Sequence, residues 1–193
     1  MYKTEIYKKL IKSKKQVYRV SDLKKYLELK NDNSIYHAIK RLTKQEILER
    51  VANGVFCLKD NPASDFVIAN NLYHPSYISL ESALNYYGIV IQSPRTIFSI
   101  TTRRNKIQKY EDKEFIYFRT KQNYFFDYIK EKDFLIATPE KALIDTIFFT
   151  ALGRAKTDLS ELVLDIVNKK KLHKIKNKIQ NKAFHNLFEN LKL

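Results

Sequence analysis

Glu81, Glu140, Lys141 and Asp145, with Arg103, Arg104 and Arg119 in the same stretch of chain, are side chains whose types could do hydrolytic chemistry. Carboxylates can hold a divalent cation while a lysine steadies the charge that develops during phosphodiester attack. Their positions argue for a quieter role. Glu81 and Glu140 fall at expected helix starts, where an acid simply opposes the helix dipole, and no catalytic residue is assigned. The four histidines, His37, His74, His173 and His185, are scattered; none stands at helical spacing from another His or Cys, so no metal site is expected. The three glycines, Gly54, Gly88 and Gly153, build neither a phosphate-cradling loop nor a Gly-x-Ser-x-Gly elbow. No cofactor is therefore expected, and Ser79, Ser82 and Thr138 read as caps or packing groups.

Electrostatics supplies the stronger signal. Residues 1–60 hold fifteen Lys/Arg against seven Asp/Glu, +8 of the formal +15 of the whole chain, and the obvious counterpart of such a head is DNA. Three helices are expected in order. Ile6 and Leu10, with Tyr2, Tyr7 and Ile11, give the first an apolar stripe. Ser21 caps the second, turning Leu23, Tyr26 and Leu27 inward. The third starts at Asn33 or Ser34 and buries Ile35, Ala38, Ile39 and Leu42 at i, i+3, i+4 and i+7. Its outer face then carries Ser34, Tyr36, His37, Lys40, Arg41 and Lys44. In a helix-turn-helix the early outward positions approach base edges and the later cations phosphates. Strands 48–52 and 55–58 flank Asn53-Gly54, a pair suited to a type I′ turn, and this hairpin reads as a wing.

The expected fold class is α+β. A winged helix-turn-helix over 1–60 is followed by a mixed domain over 61–157 with a small antiparallel sheet, and by a basic helical tail over 158–193. Asn61 and Pro62 open a helix over 63–73. Ser79 caps another, with Leu80, Ala83, Leu84 and Tyr87 inward and Gly88 at its end. Strands are expected at 96–102, 114–120 and 134–137. Thr138, Pro139 and Glu140 then start a helix by cap, fixed φ and dipole, and Leu143, Ile144, Ile147, Phe148 and Ala151 form its buried stripe. In the tail, Leu159, Leu162, Val163, Ile166 and Val167 suggest one amphipathic helix, and Leu172, Ile175, Ile179, Ala183, Leu187 and Leu191 another. The lysine run 169–178 reads either as phosphate contacts or as a solvated face. Thirteen tyrosines and twelve phenylalanines, with no tryptophan, point to an aromatic core. Base stacking by Tyr117, Phe118, Tyr124, Phe125 and Phe126 is the alternative use.

Cys57 has no cysteine partner, which suits a small buried hydrophobe in a reducing compartment. No apolar run is long enough to span a bilayer and no secretory core follows Met1, so no membrane partner and a cytoplasmic location are expected.

Two segments carry a resemblance. Tyr77-Ile78-Ser79-Leu80-Glu81-Ser82-Ala83-Leu84 with Tyr86-Tyr87-Gly88, followed by Ala137-Thr138-Pro139-Glu140-Lys141-Ala142-Leu143-Ile144-Asp145, resembles the AbiEi-type antitoxin family. The likeness covers roughly residues 15–150; the tail is shorter and more basic than in many members. It implies a transcriptional autorepressor and antitoxin of a bacterial toxin–antitoxin operon of the abortive-infection, phage-defence kind. The head would bind promoter repeats, as a monomer or homodimer, and the second domain would oppose a nucleotidyltransferase-like toxin, with or without binding it. The site residues implied there are Ser79, Glu81, Ser82, Thr138, Pro139, Glu140, Lys141 and Asp145. Two alternatives stay open: a winged-helix transcription factor whose second domain senses a ligand or protein, and a non-DNA interaction protein whose basic head binds an acidic partner.

Overall fold

Apolar residues at helical and strand spacing sort this chain into two units, Met1–Leu72 and Tyr73–Leu193, in a computed structural model that describes residues 2–91, 95–159, 162–191 and 193. Both units mix helices with sheet, so the chain is α+β. The division falls after Leu72 rather than at Asp60-Asn61-Pro62, and residues 158–193 belong with the second unit.

The first unit runs α1 (Tyr2–Lys12), β1 (Val17–Arg19), α2 (Val20–Tyr26), α3 (Asp32–Lys44), β2 (Leu48–Ala52), β3 (Val55–Leu58) and α4 (Asp65–Leu72). Ile6, Leu10, Leu23, Ile35, Ile39 and Leu42 meet Leu48, Phe56 and Leu58 in one core. Ile11 turns outward, and the Tyr2 side chain lies outside the described residues. The cap of α2 is not Ser21. The helix begins at Val20 with Arg19 at its cap, two residues earlier, and the Asp22 carboxylate reaches back to accept from the Arg19 backbone N–H at 2.9 Å. Burial raises the Asp22 pKa, but Lys15 and that N–H outweigh it and hold the carboxyl below its ordinary range. Asn31 caps α3, accepting from the Asn33 N–H at 2.9 Å, and Ser64 rather than Asn61 leads into α4. Strand β1 was not foreseen; it pairs antiparallel with β3, giving the sheet β1-β3-β2. Cys57 is buried in β3.

The second unit is built on a six-stranded mixed sheet in the order β6-β7-β5-β4-β9-β8, not a small antiparallel one. Its strands are β4 (Ser76–Ile78), β5 (Thr96–Thr101), β6 (Lys106–Tyr110), β7 (Lys113–Arg119), β8 (Tyr128–Glu131) and β9 (Phe134–Ala137). The hairpin partner β7 inserts between β6 and β5, which makes β5 and β7 parallel; β4 and β9 are also parallel, with Ile78 opposite Ile136. Helices α5 (Leu80–Tyr86) and α6 (Pro139–Ala151) pack on each other. Gly88, at φ +71°, closes α5 while the Ile89 N–H returns to the Leu84 carbonyl at 2.8 Å. Buried residues occur on most sides of α6, so it is a central helix rather than a one-stripe one.

The first tail helix is corrected. Residues 160–161 lie outside the described set, and 162–168 are not helical: the Val163 N–H donates to the Ile89 carbonyl, with Val163 and Ile166 exposed. Helix α7 (Lys169–Lys176) follows, then α8 (Lys182–Asn190), both packed on α6. The second expected helix is broken because Asn181 caps α8, accepting from the Phe184 N–H at 2.9 Å. That restart moves the register, so Phe184 and Phe188 face inward while Ala183 is exposed.

Candidate nucleic-acid interface and buried polar cluster

Helix α3 divides its residues cleanly. Ile35, Ala38, Ile39 and Leu42 are buried, whereas Ser34, Tyr36, His37, Lys40, Arg41 and Lys44 are all exposed, Tyr36 at 62%. Six predicted site residues thus share one outer face. The two others sit at the β2–β3 turn, where Asn53 is exposed and Gly54 half-buried. This turn is not type I′: Gly54 alone has positive φ, +73°, and Asn53 does not. Such a turn lacks the twist of the primed types, and a bulge in β2 between Arg50 and Ala52 supplies it. The Gly54 carbonyl accepts from the Val20 N–H at 3.3 Å, tying the turn to the start of α2. Arg50, which the sequence reading passed over, is exposed and donates to Asn53 Oδ1 at 3.0 Å. Its only sequence signal was a cation beside the turn.

In the second unit the two motif segments converge on Asp145. Lys141 Nζ pairs with Asp145 Oδ1, while Tyr77 and Ser79 donate their hydroxyls to Oδ2 at 3.0 and 2.8 Å. Lys141 is fully buried and Asp145 4% exposed; the lysine also lies over the rings of Tyr77 and Phe126 at 5.6 and 5.3 Å. A third tie runs from the Tyr87 hydroxyl to the Ala137 carbonyl at 2.9 Å. Burial, then the Asp145 charge, drives the Tyr77 pKa well above the ordinary phenol value, and burial pushes Tyr87 up to about 12. Ser79 stands at the N-cap of α5 yet its side chain makes no cap hydrogen bond; its hydroxyl is turned to Asp145. The next residue, Leu80, is buried at φ +51°, a strained setting for a branched side chain.

Thr138 and Glu140 belong to a flanking group. Thr138 caps α6 over Pro139, accepting from the Lys141 N–H at 3.4 Å and donating to Asp127 Oδ2 at 2.6 Å. Glu140 accepts from the Asn168 N–H at 3.0 Å, and Lys171 bridges Glu140 and Asp127 at 3.0 and 3.1 Å. Burial opposes the charged forms, but these contacts outweigh it, holding Glu140 below and Lys171 above their ordinary pKa values. Ser82 joins neither group: it accepts from the Phe98 N–H at 2.9 Å on β5. Glu81 is half-buried at the start of α5. Tyr77, Asp127 and Lys171 were missed as site residues, and only Tyr77 lay within a quoted motif. The arginines take other contacts. Arg103 stacks on Tyr73 at 4.6 Å and donates to the His74 carbonyl, and the Arg119 N–H donates to Asn105 Oδ1 at 2.7 Å.

Chemically, the Asp145 cluster is a closed tie. Both carboxylate oxygens are engaged and the lysine has no exposed atoms to offer a substrate. Among the described residues no three His, Cys, Asp or Glu side chains gather as a ligand set, and no helix is long and apolar enough to cross a membrane. Tyr117 and Tyr124 are buried, and Phe118 stacks on Phe149 at 5.0 Å, so these rings pack the core. No family model matches the chain, and no curated protein matches it.

Proposed function

We propose that this chain is a DNA-binding autorepressor and the antitoxin of a bacterial abortive-infection operon, working in the cytoplasm. The observation that carries the DNA half is the outer face of α3, where Ser34, Tyr36, His37, Lys40, Arg41 and Lys44 are exposed opposite a buried apolar face. In this reading residues 1–60 form a winged helix-turn-helix. The early residues of α3 approach base edges in the major groove, Lys40, Arg41 and Lys44 hold phosphates, and the Asn53-Gly54 hairpin touches the backbone or minor groove. The antitoxin half rests on the resemblance of the two motif segments, and the toxin it opposes would be nucleotidyltransferase-like. Promoter repeats would seat two heads, from two monomers or one homodimer.

The test is binding of the protein to its own upstream DNA and to a scrambled duplex, across a salt series. Saturable, sequence-selective binding that weakens with salt is expected. Equal weak binding to both duplexes would overturn the repressor reading. Co-expression with the product of the adjacent gene tests the second half, which fails if growth is arrested equally with and without this chain.

A further inference from the structure

The segment from Asn168 to Phe188 holds seven lysines and two histidines and not one aspartate or glutamate. The fold sorts these cations by face. Half-buried Lys171 and Lys176 meet carboxylates, Lys171 on Asp127 and Glu140 and Lys176 on Glu189. Lys169, Lys170 and Lys174, with His173 between them, are exposed on α7, and exposed Lys178 and Lys182 follow. Among the described residues, Lys169, Lys170 and Lys174 make no ion pair.

This placement works against the helix that bears it. Lysines at the first positions of α7 face the positive end of the helix dipole, and Lys170 and Lys174 are like charges four residues apart. A polyanion seated on the face removes both penalties. Its kind follows from what the face lacks. Among the described residues no large hydrophobic side chain is exposed on α7 or α8, so the apolar, aromatic centre that a protein interface needs is missing. Among the described residues of α7 and α8 no Phe or Tyr ring is exposed, and the single exposed imidazole, His173, does not make the row of rings on which successive single-stranded bases stack.

We propose that the outer face of α7, through Lys169, Lys170 and Lys174, binds the phosphodiester backbone of duplex nucleic acid without regard to sequence. The site lies wholly in the second unit and does not require that α3 read DNA.

The test uses the full chain with Lys169→Gln, Lys170→Gln and Lys174→Gln combined, exposed changes whose fold is checked by thermal unfolding. Fluorescence anisotropy follows binding to the upstream duplex, a scrambled DNA duplex and an RNA duplex of equal length, between about 50 and 200 mM salt. Three lost phosphate contacts should make the slope of log K against log salt shallower by about 2.7. Both DNA affinities should fall by a common factor, leaving their ratio unchanged. A loss shared by the RNA duplex assigns the backbone in general, and one confined to DNA or to RNA assigns that duplex as the source. An unchanged slope on every duplex overturns the proposal, as does absence of any duplex binding by the parent protein at 50 mM salt. So does an equal change in a control losing the same charge elsewhere, Arg104→Gln with Lys121→Gln and Lys156→Gln. A Ser34→Ala/Tyr36→Ala/His37→Ala variant, at the exposed positions read as base contacts, separates the two readings: if it leaves the ratio of upstream to scrambled binding unchanged while the α7 variant still shifts the slope, the recognition-helix reading fails and this one stands.

Discussion

Replacing Asp145 with alanine should unfold the second unit far more easily than its loss of volume suggests. The change strands the fully buried Lys141 ammonium and leaves the Tyr77 and Ser79 hydroxyls without their acceptor. Removing one member of a buried ion pair costs about 3–5 kcal/mol. With an m-value near 2 kcal/mol/M in urea, the midpoint of that unit should fall by about 2 M. Asp145→Asn keeps an acceptor for the two hydroxyls but still leaves Lys141 charged, and so should recover only part of the loss. The decisive variant is Lys141→Met with Asp145→Asn, which removes both charges. It should be more stable than either single change would suggest on adding them, by a coupling of about 2 kcal/mol or more. Equilibrium urea unfolding followed by near-ultraviolet circular dichroism of the tyrosines is the assay, with the two units fitted as separate transitions. Single changes costing under about 1 kcal/mol, or costs that simply add, would refute the view that this pair is desolvated and mutually dependent.

Other expectations follow from the same geometry. Lys40→Ala with Arg41→Ala should make the salt slope of operator binding shallower by about 1.8 and weaken it, while thermal stability stays close to that of the parent, since both side chains are exposed. Gly54→Ala forces an L residue to φ +73° and should cost about 1 kcal/mol in the first unit, read by denaturant midpoint. Thr138→Ala removes the cap of α6 and should destabilise the second unit by about 1 kcal/mol. Glu140 has a folded pKa below its unfolded value, so its contribution is present above the ordinary glutamate range and is lost as pH falls through the folded value. Glu140→Gln should flatten that acid limb of the second unit's stability curve; an identical limb in the variant would assign the pH dependence elsewhere.

What the sequence disclosed was chemistry that acts over a turn or two of chain. The inward and outward faces of α3, the Thr138-Pro139 start of α6, the Gly88 stop of α5 and strand β9 over 134–137 all depend on neighbours in sequence, and the structure has them. Strands β1 and β4 are three residues long, too short to show a period of two, and are strands because of what lies beside them. The sheet order has the same origin, since parallel pairing of β5 with β7 is decided by where a hairpin inserts. The expected helix after Asp158 shows the converse failure. Its apolar spacing is real, but the stripe does not bury as one face: Val167 is buried while Val163 and Ile166 are exposed, and the Val163 N–H is bonded to the Ile89 carbonyl rather than within a helix.

Ser79 is an instructive residue, because a local rule and a distant partner call for different orientations of one hydroxyl: Thr138 caps its helix and donates to Asp127 together, whereas Ser79 only donates. Capping α5 would satisfy a backbone N–H that the first turn leaves unpaired. Donating to Asp145, sixty-six residues away, adds to the Lys141 and Tyr77 contacts of a buried carboxylate instead, and a hydrogen bond to a buried charge is worth more than one to a neutral group. The distant partner wins, and the strained φ of Leu80 sits at the point where the chain makes that choice. The same reasoning bears on where function is to be sought. Tyr77, Ser79, Lys141 and Asp145 are enclosed by one another, so the two motifs they belong to speak first of how the second unit is held together. Whatever that unit recognises must be met by side chains that reach solvent, and substitutions inside the motifs would abolish any such activity merely by loosening the scaffold. Loss of toxin opposition in an Asp145 variant is therefore uninformative unless the protein remains folded, whereas loss in an exposed variant such as Lys170→Gln, with thermal unfolding unchanged, would locate a working surface.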